Sequence, residues 1–89
     1  MITWDEKKRI ENLRKHGIDL AECEPIFDGP MLSKDDDRQS YGELRIRTYG
    51  LLHSRVVLLL WTERKTGAHV FSCREAYKHE TREFWKKAI

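Results

Sequence analysis

Apolar positions recur at helical spacing at both ends of the chain and alternate in between. Trp4, Ile10 and Leu13 give a narrow helical stripe that runs to about His16. Thr3-Trp-Asp-Glu6 reads as a capping box with Asp5 as a rival N-cap, and Gly17 is a natural left-handed stop. Asp19 with Glu22 repeats the capping pattern and predicts a second short helix to about Phe27, closed by Asp28-Gly29-Pro30. Residues 1–3 read as a weak strand. Residues 33–40, with the run Asp35-Asp36-Asp37, read as a polar surface loop. That run lacks the glycine and downstream glutamate of a calcium loop.

From Glu43 the period becomes two. Residues 43–49, 55–64 and 68–74 predict three strands, with turns at 50–54 and 65–67. A last helix is predicted over residues 75–88, which contain no proline or glycine. The expected architecture is α+β: two N-terminal helices, a three- to four-stranded antiparallel meander and a C-terminal helix.

Pairing these strands as hairpins sorts their side chains by parity. One face receives Leu44, Ile46, Thr48, Val57, Leu59, Trp61, Phe71 and Cys73, and is the core face that the helices should cover. The other receives Glu43, Arg45, Arg47, Tyr49, Thr62, Arg64, Ser72 and Arg74, together with Leu58, Leu60 and Val70. Four arginines on one sheet face repel one another unless an anion or acidic partners join them. The guanidinium fork suits phosphate. The three apolar residues among them call for a cover, such as an inhibitor or a second copy. On the last helix Ala76, Glu80, Phe84 and Ala88 share a face. Glu80 there either aims Arg74 or works as a general acid or base.

The length of 89 residues fits one domain, residues 1–89. The longest apolar run, residues 56–61, is too short for a membrane span or a secretory segment, so a soluble, cytosolic protein is expected. Net charge is only +2, but residues 1–37 carry a balance of −4 and residues 38–89 one of +6. The second half is therefore the polyanion-facing half. Cys23 and Cys73 read as reduced packing residues. His16, His53, His69 and His79 are too scattered for a metal site, and no cofactor motif is present. His16, beside Gly17, reads either as a helix C-terminal imidazole or as a proton-transfer group.

Trp4-Asp5, Lys8, Asn12 and Lys15-His16-Gly17 resemble the BrnT toxin family, as do Asp37-Arg38, Tyr41-Gly42-Glu43, Arg45 and Gly50. Thr62-Glu63-Arg64, Ser72-Cys-Arg74-Glu-Ala76 and Glu80 continue the likeness in order over nearly the whole chain. The resemblance implies a RelE-like fold and a ribonuclease toxin that arrests translation. It also implies a ribbon-helix-helix antitoxin of the BrnA type as partner. The toxin–antitoxin assembly would be built around dimers and reach operator DNA only through the antitoxin. The family tends to have phenylalanine where Leu20 stands and tyrosine where Phe84 stands. A phenol is therefore missing at Phe84, although Trp85 could still stack.

Metal-free RNA cleavage needs a base for the 2′-OH, cations for the phosphorane and an acid for the leaving 5′-oxygen. Arg64 and Arg74 are expected on phosphate, but on different ones, since about six residues of strand put roughly 20 Å between them. Arg45, Arg47, Arg38 and Lys8 add RNA-binding charge. Glu80, His16 and Lys15 are the candidates for proton transfer, in no fixed order. The rival readings are a non-catalytic nucleic-acid-binding module using the same arginine face, and a structural subunit docking an acidic helix.

Overall fold

A computed structural model describes residues 1–36 and 42–88. Asp37, Arg38 and Tyr41, named above, lie outside the described residues. Strands β1 (Ile2–Trp4), β2 (Leu32–Asp36), β3 (Arg45–Leu52), β4 (Arg55–Arg64) and β5 (Gly67–Glu75) form one sheet in the order β1-β5-β4-β3-β2. The helices are α1 (Glu6–His16) and α2 (Lys78–Lys87). The sheet is mixed, because β1 pairs parallel to β5 while the other pairs are antiparallel. The expected antiparallel meander is therefore corrected to a five-stranded mixed sheet.

The expected second N-terminal helix is also corrected. Two 3-10 turns, Leu20–Glu22 and Glu24–Asp28, stand in its place. Pro25 accounts for this: within a continuous α-helix it would lack an N–H and crowd the carbonyl four residues back. Residues 33–36, expected in a loop, lie in edge strand β2, where the Ser33 and Thr48 hydroxyls meet at 2.7 Å. Polar side chains suit an exposed edge, because they discourage further pairing. Of the two N-cap candidates Asp5 is the cap, accepting from the N–H groups of Lys7 and Lys8 at 2.9 and 3.3 Å. Thr3 belongs to β1, and its hydroxyl meets His69 Nδ1 at 2.8 Å. Gly17, at φ 72°, closes α1 as expected. Helix α2 starts three residues later than predicted, because β5 continues to Glu75 and the Ala76 N–H still reaches the Val56 carbonyl.

The two-residue turn at His53 and Ser54 (φ 51° and 67°) pairs Leu52 with Arg55 and fixes the β3–β4 register. Ile46, Thr48, Leu59 and Trp61 fall on one face, and Arg45, Arg47, Tyr49, Leu58, Leu60 and Thr62 on the other. The β4–β5 register holds to the expected parity as far as Leu60 opposite Ser72. It then slips, so that Trp61 faces Val70. This bulge exchanges two assignments. Val70 is fully buried in the core, and Phe71 turns to the arginine face, where the Arg45 guanidinium lies over its ring at 4.0 Å. Leu44, also expected in the core, is 60% exposed ahead of β3.

The core gathers Ile2, Val57, Leu59, Val70 and Cys73 under Leu20, Cys23 and Ile26 from the 3-10 turns. Phe27 meets Trp61 edge to face at 5.0 Å, and the Trp61 indole donates to Thr48 Oγ1 at 2.8 Å. The Cys73 thiol is pushed up by the Cys23 thiol beside it and by burial, and both free cysteines are buried in the core. Leu20 and Phe84, the two departures from the family, are both fully buried packing residues. The two α-helices do not cover the core face as expected. Helix α2 lies over the arginine face, since its Glu80 meets Tyr49 and Arg74 there. Helix α1 runs beside the edge of β5 beyond the short strand β1.

Asn12 holds α1 to that edge. Its Nδ2 donates to the Cys73 and Ile18 carbonyls at 2.9 and 2.8 Å, and its Oδ1 accepts from the Cys73 N–H at 3.0 Å. One side-chain amide thus does the work of a neighbouring strand. Replacing Asn12 with alanine leaves two buried backbone groups of Cys73 and the half-buried Ile18 carbonyl without this partner. The expected destabilisation is about 2–3 kcal/mol, roughly 10–20 °C in Tm for a chain of this size. Urea unfolding of Asn12→Ala tests it, and a loss below about 1 kcal/mol would show that water replaces the amide.

Candidate nucleic-acid interface

Arg74 is held by the Glu75 carbonyl, to which its Nη1 donates at 3.1 Å, and above all by Glu80. Arg74 donates from both Nη atoms to the two carboxylate oxygens, at 2.9 and 3.0 Å. The Tyr49 hydroxyl donates to Glu80 Oε2 at 2.6 Å, and the Tyr77 N–H to Oε1 at 2.7 Å. Tyr49 comes from β3, Arg74 from β5 and Glu80 from the first turn of α2, so the carboxylate ties three elements together. The Tyr77 ring lies under the Arg74 guanidinium at 4.1 Å. Arg47 Nη2 reaches the Tyr49 hydroxyl at a long 3.5 Å, and its buried Nε has no acceptor among the described residues.

Four hydrogen bonds on one carboxylate decide its chemistry. Arg74 first, then Tyr49 and Tyr77, bring the Glu80 carboxyl down to about 2, against burial. Arg74 is held above the ordinary guanidinium value by the same partner, and the Tyr49 phenol is pushed up by burial and by Glu80. Glu80 therefore stays ionised at neutral pH and is a feeble base. It positions Arg74. Its folded value lies below the free value of 4.5, so its contribution to stability is complete above pH 4.5 and is lost as the pH falls toward 2. That contribution is about 2–3 kcal/mol for a pair this little exposed. Acid unfolding of Glu80→Gln should show a flatter stability profile between pH 5 and pH 2 than the parent (about 3 units of pH). Identical profiles would show the pair to be stability-neutral.

Beside this network Arg47, Arg74 and His16 line a groove of about 240 Å³, floored by Leu58, Leu60 and Ser72. The two leucines that seemed to need a partner are this floor, half-buried, and Val70 is not among them. At His16 and Ser72 the groove meets a second one of about 520 Å³, whose lining includes Lys8, Arg14, Lys15 and Phe71. Burial first, then the charges of Lys15 and Arg74, holds the His16 imidazolium below the usual histidine range. Although the residue is exposed, this shift favours the neutral ring, which can accept a proton in the groove that it shares with two guanidinium groups.

The fold brings together Lys8, Lys15, His16, Arg45, Arg47, Arg74 and Glu80 around the arginine face. It does not bring in Arg64. That side chain shares the face by register but sits at the far end of β4, in a two-point pair with Glu43 at 2.8 and 3.0 Å. Arg38 lies outside the described residues. Sequence reasoning put Tyr49 and Ser72 on this face without giving them a role, and it missed Arg14. Parity was the signal for the first two; Arg14 gave none, since a helical lysine or arginine is ordinarily solvated.

Comparison with known proteins assigns the class. Residues 4–80 match the family described as the ribonuclease toxin, BrnT, of type II toxin–antitoxin systems. The chain belongs to the BrnT family, and is a toxin of a type II toxin–antitoxin system. Among solved structures it is similar to the ribonuclease toxin BrnT of Brucella abortus, at 25% identity and a TM-score of 0.67. That match covers 86% of this chain and 96% of that one. No curated protein matches it. Among the described residues no helix is long and apolar enough to cross a membrane.

Proposed function

We propose that this toxin is an endoribonuclease that cleaves single-stranded RNA by attack of the 2′-OH on the adjacent phosphate, and that this arrests translation. The supporting observation is the groove that the His16 imidazole lines together with two guanidinium groups, Arg47 and Arg74. The 2′-oxygen is the nucleophile, so RNA is cut and DNA is not. His16 takes the 2′-OH proton, and a solvent water protonates the leaving 5′-oxygen as its bond to phosphorus breaks. Arg74, fixed by Glu80, and Arg47 hold the phosphate oxygens as negative charge gathers on them. Side-chain cations thus supply the charge stabilisation that a metal supplies in other nucleases. Lys15 lies on the adjoining groove, where it serves binding and lowers the His16 pKa. Arg64, paired with Glu43, is a structural arginine in this reading.

The family supports an antitoxin as partner. We take it to be a BrnA-type ribbon-helix-helix protein, bound in a dimer-based cytoplasmic assembly that reaches operator DNA through the antitoxin. The decisive experiment incubates the purified toxin with an RNA oligonucleotide and identifies the new ends by mass spectrometry. A 2′,3′-cyclic phosphate is expected, together with complete protection by a single 2′-deoxy substitution at the cut site. Products with a 3′-hydroxyl, or cutting of the substituted strand, would refute the mechanism.

A further inference from the structure

The groove over Arg47 and Arg74 does not end at His16. It continues past Ser72 along α1, where Lys8, Arg14 and Lys15 line the larger second groove. Lys8, Glu11 and Lys15 stand at i, i+3 and i+7, so they form one stripe, about 10 Å long at 1.5 Å per residue. None of the three cations forms an ion pair among the described residues, and Glu11 is the one acid on the lining. By contrast Arg9 is paired with Asp19 and Glu6, Arg55 with Glu75, and Arg64 with Glu43. Three cations unpaired among the described residues therefore line the groove that continues from the cleavage groove.

We propose that this α1 groove is a second phosphate subsite, which grips a single-stranded RNA outside the linkage to be cut. The inference rests on the ribonuclease reading for the first groove and adds the length of ligand the protein requires. In-line attack demands that the 2′-oxygen, the phosphorus and the leaving 5′-oxygen be collinear. A stacked A-form strand does not present that geometry, so the strand must be opened at the cut site. Anchoring a phosphate on each side of the step holds it open. Lys8, Arg14 and Lys15, lining a groove continuous with the reactive one, provide the outer anchor.

The test uses oligothymidylates, which carry the phosphates but no 2′-OH, so that binding is read without cleavage. The toxin should bind a hexamer at least 10-fold more tightly than a dimer. In Arg14→Glu most of that length-dependent gain should vanish, and the salt slope for the hexamer should fall by about 0.7 for each phosphate that the protein no longer neutralises. Glu11→Gln should tighten the hexamer about 2-fold. Lys8→Ala, a milder change, should cost about 3-fold and guards against a folding defect in the charge reversal. Equal length-dependent gains in the parent, Arg14→Glu and Lys8→Ala would overturn the subsite. So would variants that weaken only capture of the antitoxin. Cleavage of an unmodified RNA by the parent is measured in parallel. If it fails while the gain still depends on Arg14, the subsite stands and the ribonuclease reading falls. If it succeeds with an unaltered gain, the reverse holds.

Discussion

Replacing His16 with alanine is expected to lower kcat/KM for RNA cleavage by about 10²–10⁴-fold, the usual worth of a positioned proton acceptor. The same variant should lose the acidic limb of the pH–rate profile. The sign follows from the surroundings of the ring. Burial, Lys15 and Arg74 all disfavour the imidazolium, so the neutral, reactive form prevails down to pH values below the ordinary histidine range. Activity should rise with pH through that depressed value and be level at neutrality. Lys15→Met removes one of the repelling charges, and should move the limb to higher pH without abolishing it. A limb that survives in His16→Ala would assign proton transfer to another group. A limb that Lys15→Met leaves in place would show that Lys15 does not set the His16 pKa.

Arg74→Ala should cost about 2–4 kcal/mol in the transition state, roughly 30- to 1000-fold in kcat/KM. The loss should appear mainly in kcat, because charge on the phosphate grows as the pentavalent state forms. Arg74→Lys separates charge from geometry. It keeps the cation but cannot span both Glu80 oxygens and still present a flat fork to phosphate, so it should recover only part of the rate. Glu80→Gln tests the same geometry from behind. Arg74 keeps its charge but loses its strongest anchor, and kcat should drop about 10-fold by misplacement alone. Full activity in Arg74→Lys or Glu80→Gln would mean that a diffuse positive field suffices.

Tyr49 links these predictions. Its hydroxyl bonds Glu80 at 2.6 Å and accepts a long hydrogen bond from Arg47 at 3.5 Å, so it connects the two arginines of the groove. A tyrosine so placed is a positioning residue. Its raised pKa keeps the phenol protonated, and so a donor to the carboxylate, across the working pH range.

The alternation between Glu43 and Tyr49 was enough to put Arg45, Arg47 and Tyr49 on one side of the sheet. Strand geometry leaves only two directions for a side chain, and a hairpin transmits that choice to its partner. The two-residue turn at His53 and Ser54 carried it to β4, and Arg74 and Ser72 followed on β5. Trp61 was rightly turned to the core for the same reason. The stop at Gly17 was equally local. The exchange of Val70 and Phe71 was not legible. A bulge is a compromise between two strands and leaves no mark in the alternation of either one.

Contacts between distant segments were decided by the tertiary structure alone. Residues 1–3 read as a weak strand, and β5 supplies the edge on which residues 2–4 form one; residues 32–36 become a strand only because β3 offers an edge. Asn12 reads as one more polar helical residue until the backbone of Cys73, 61 positions away, arrives beside it. The same holds for His16. The sequence by itself determined its place at the end of α1 and beside Lys15, but the Arg74 charge that helps lower its pKa and its place in the groove with Arg47 come from docking α1 against β5. Local rules fix the direction of a side chain relative to its own backbone. The distance between two side chains on separate elements is set by how those elements pack, and the proposed chemistry of this groove depends on that distance.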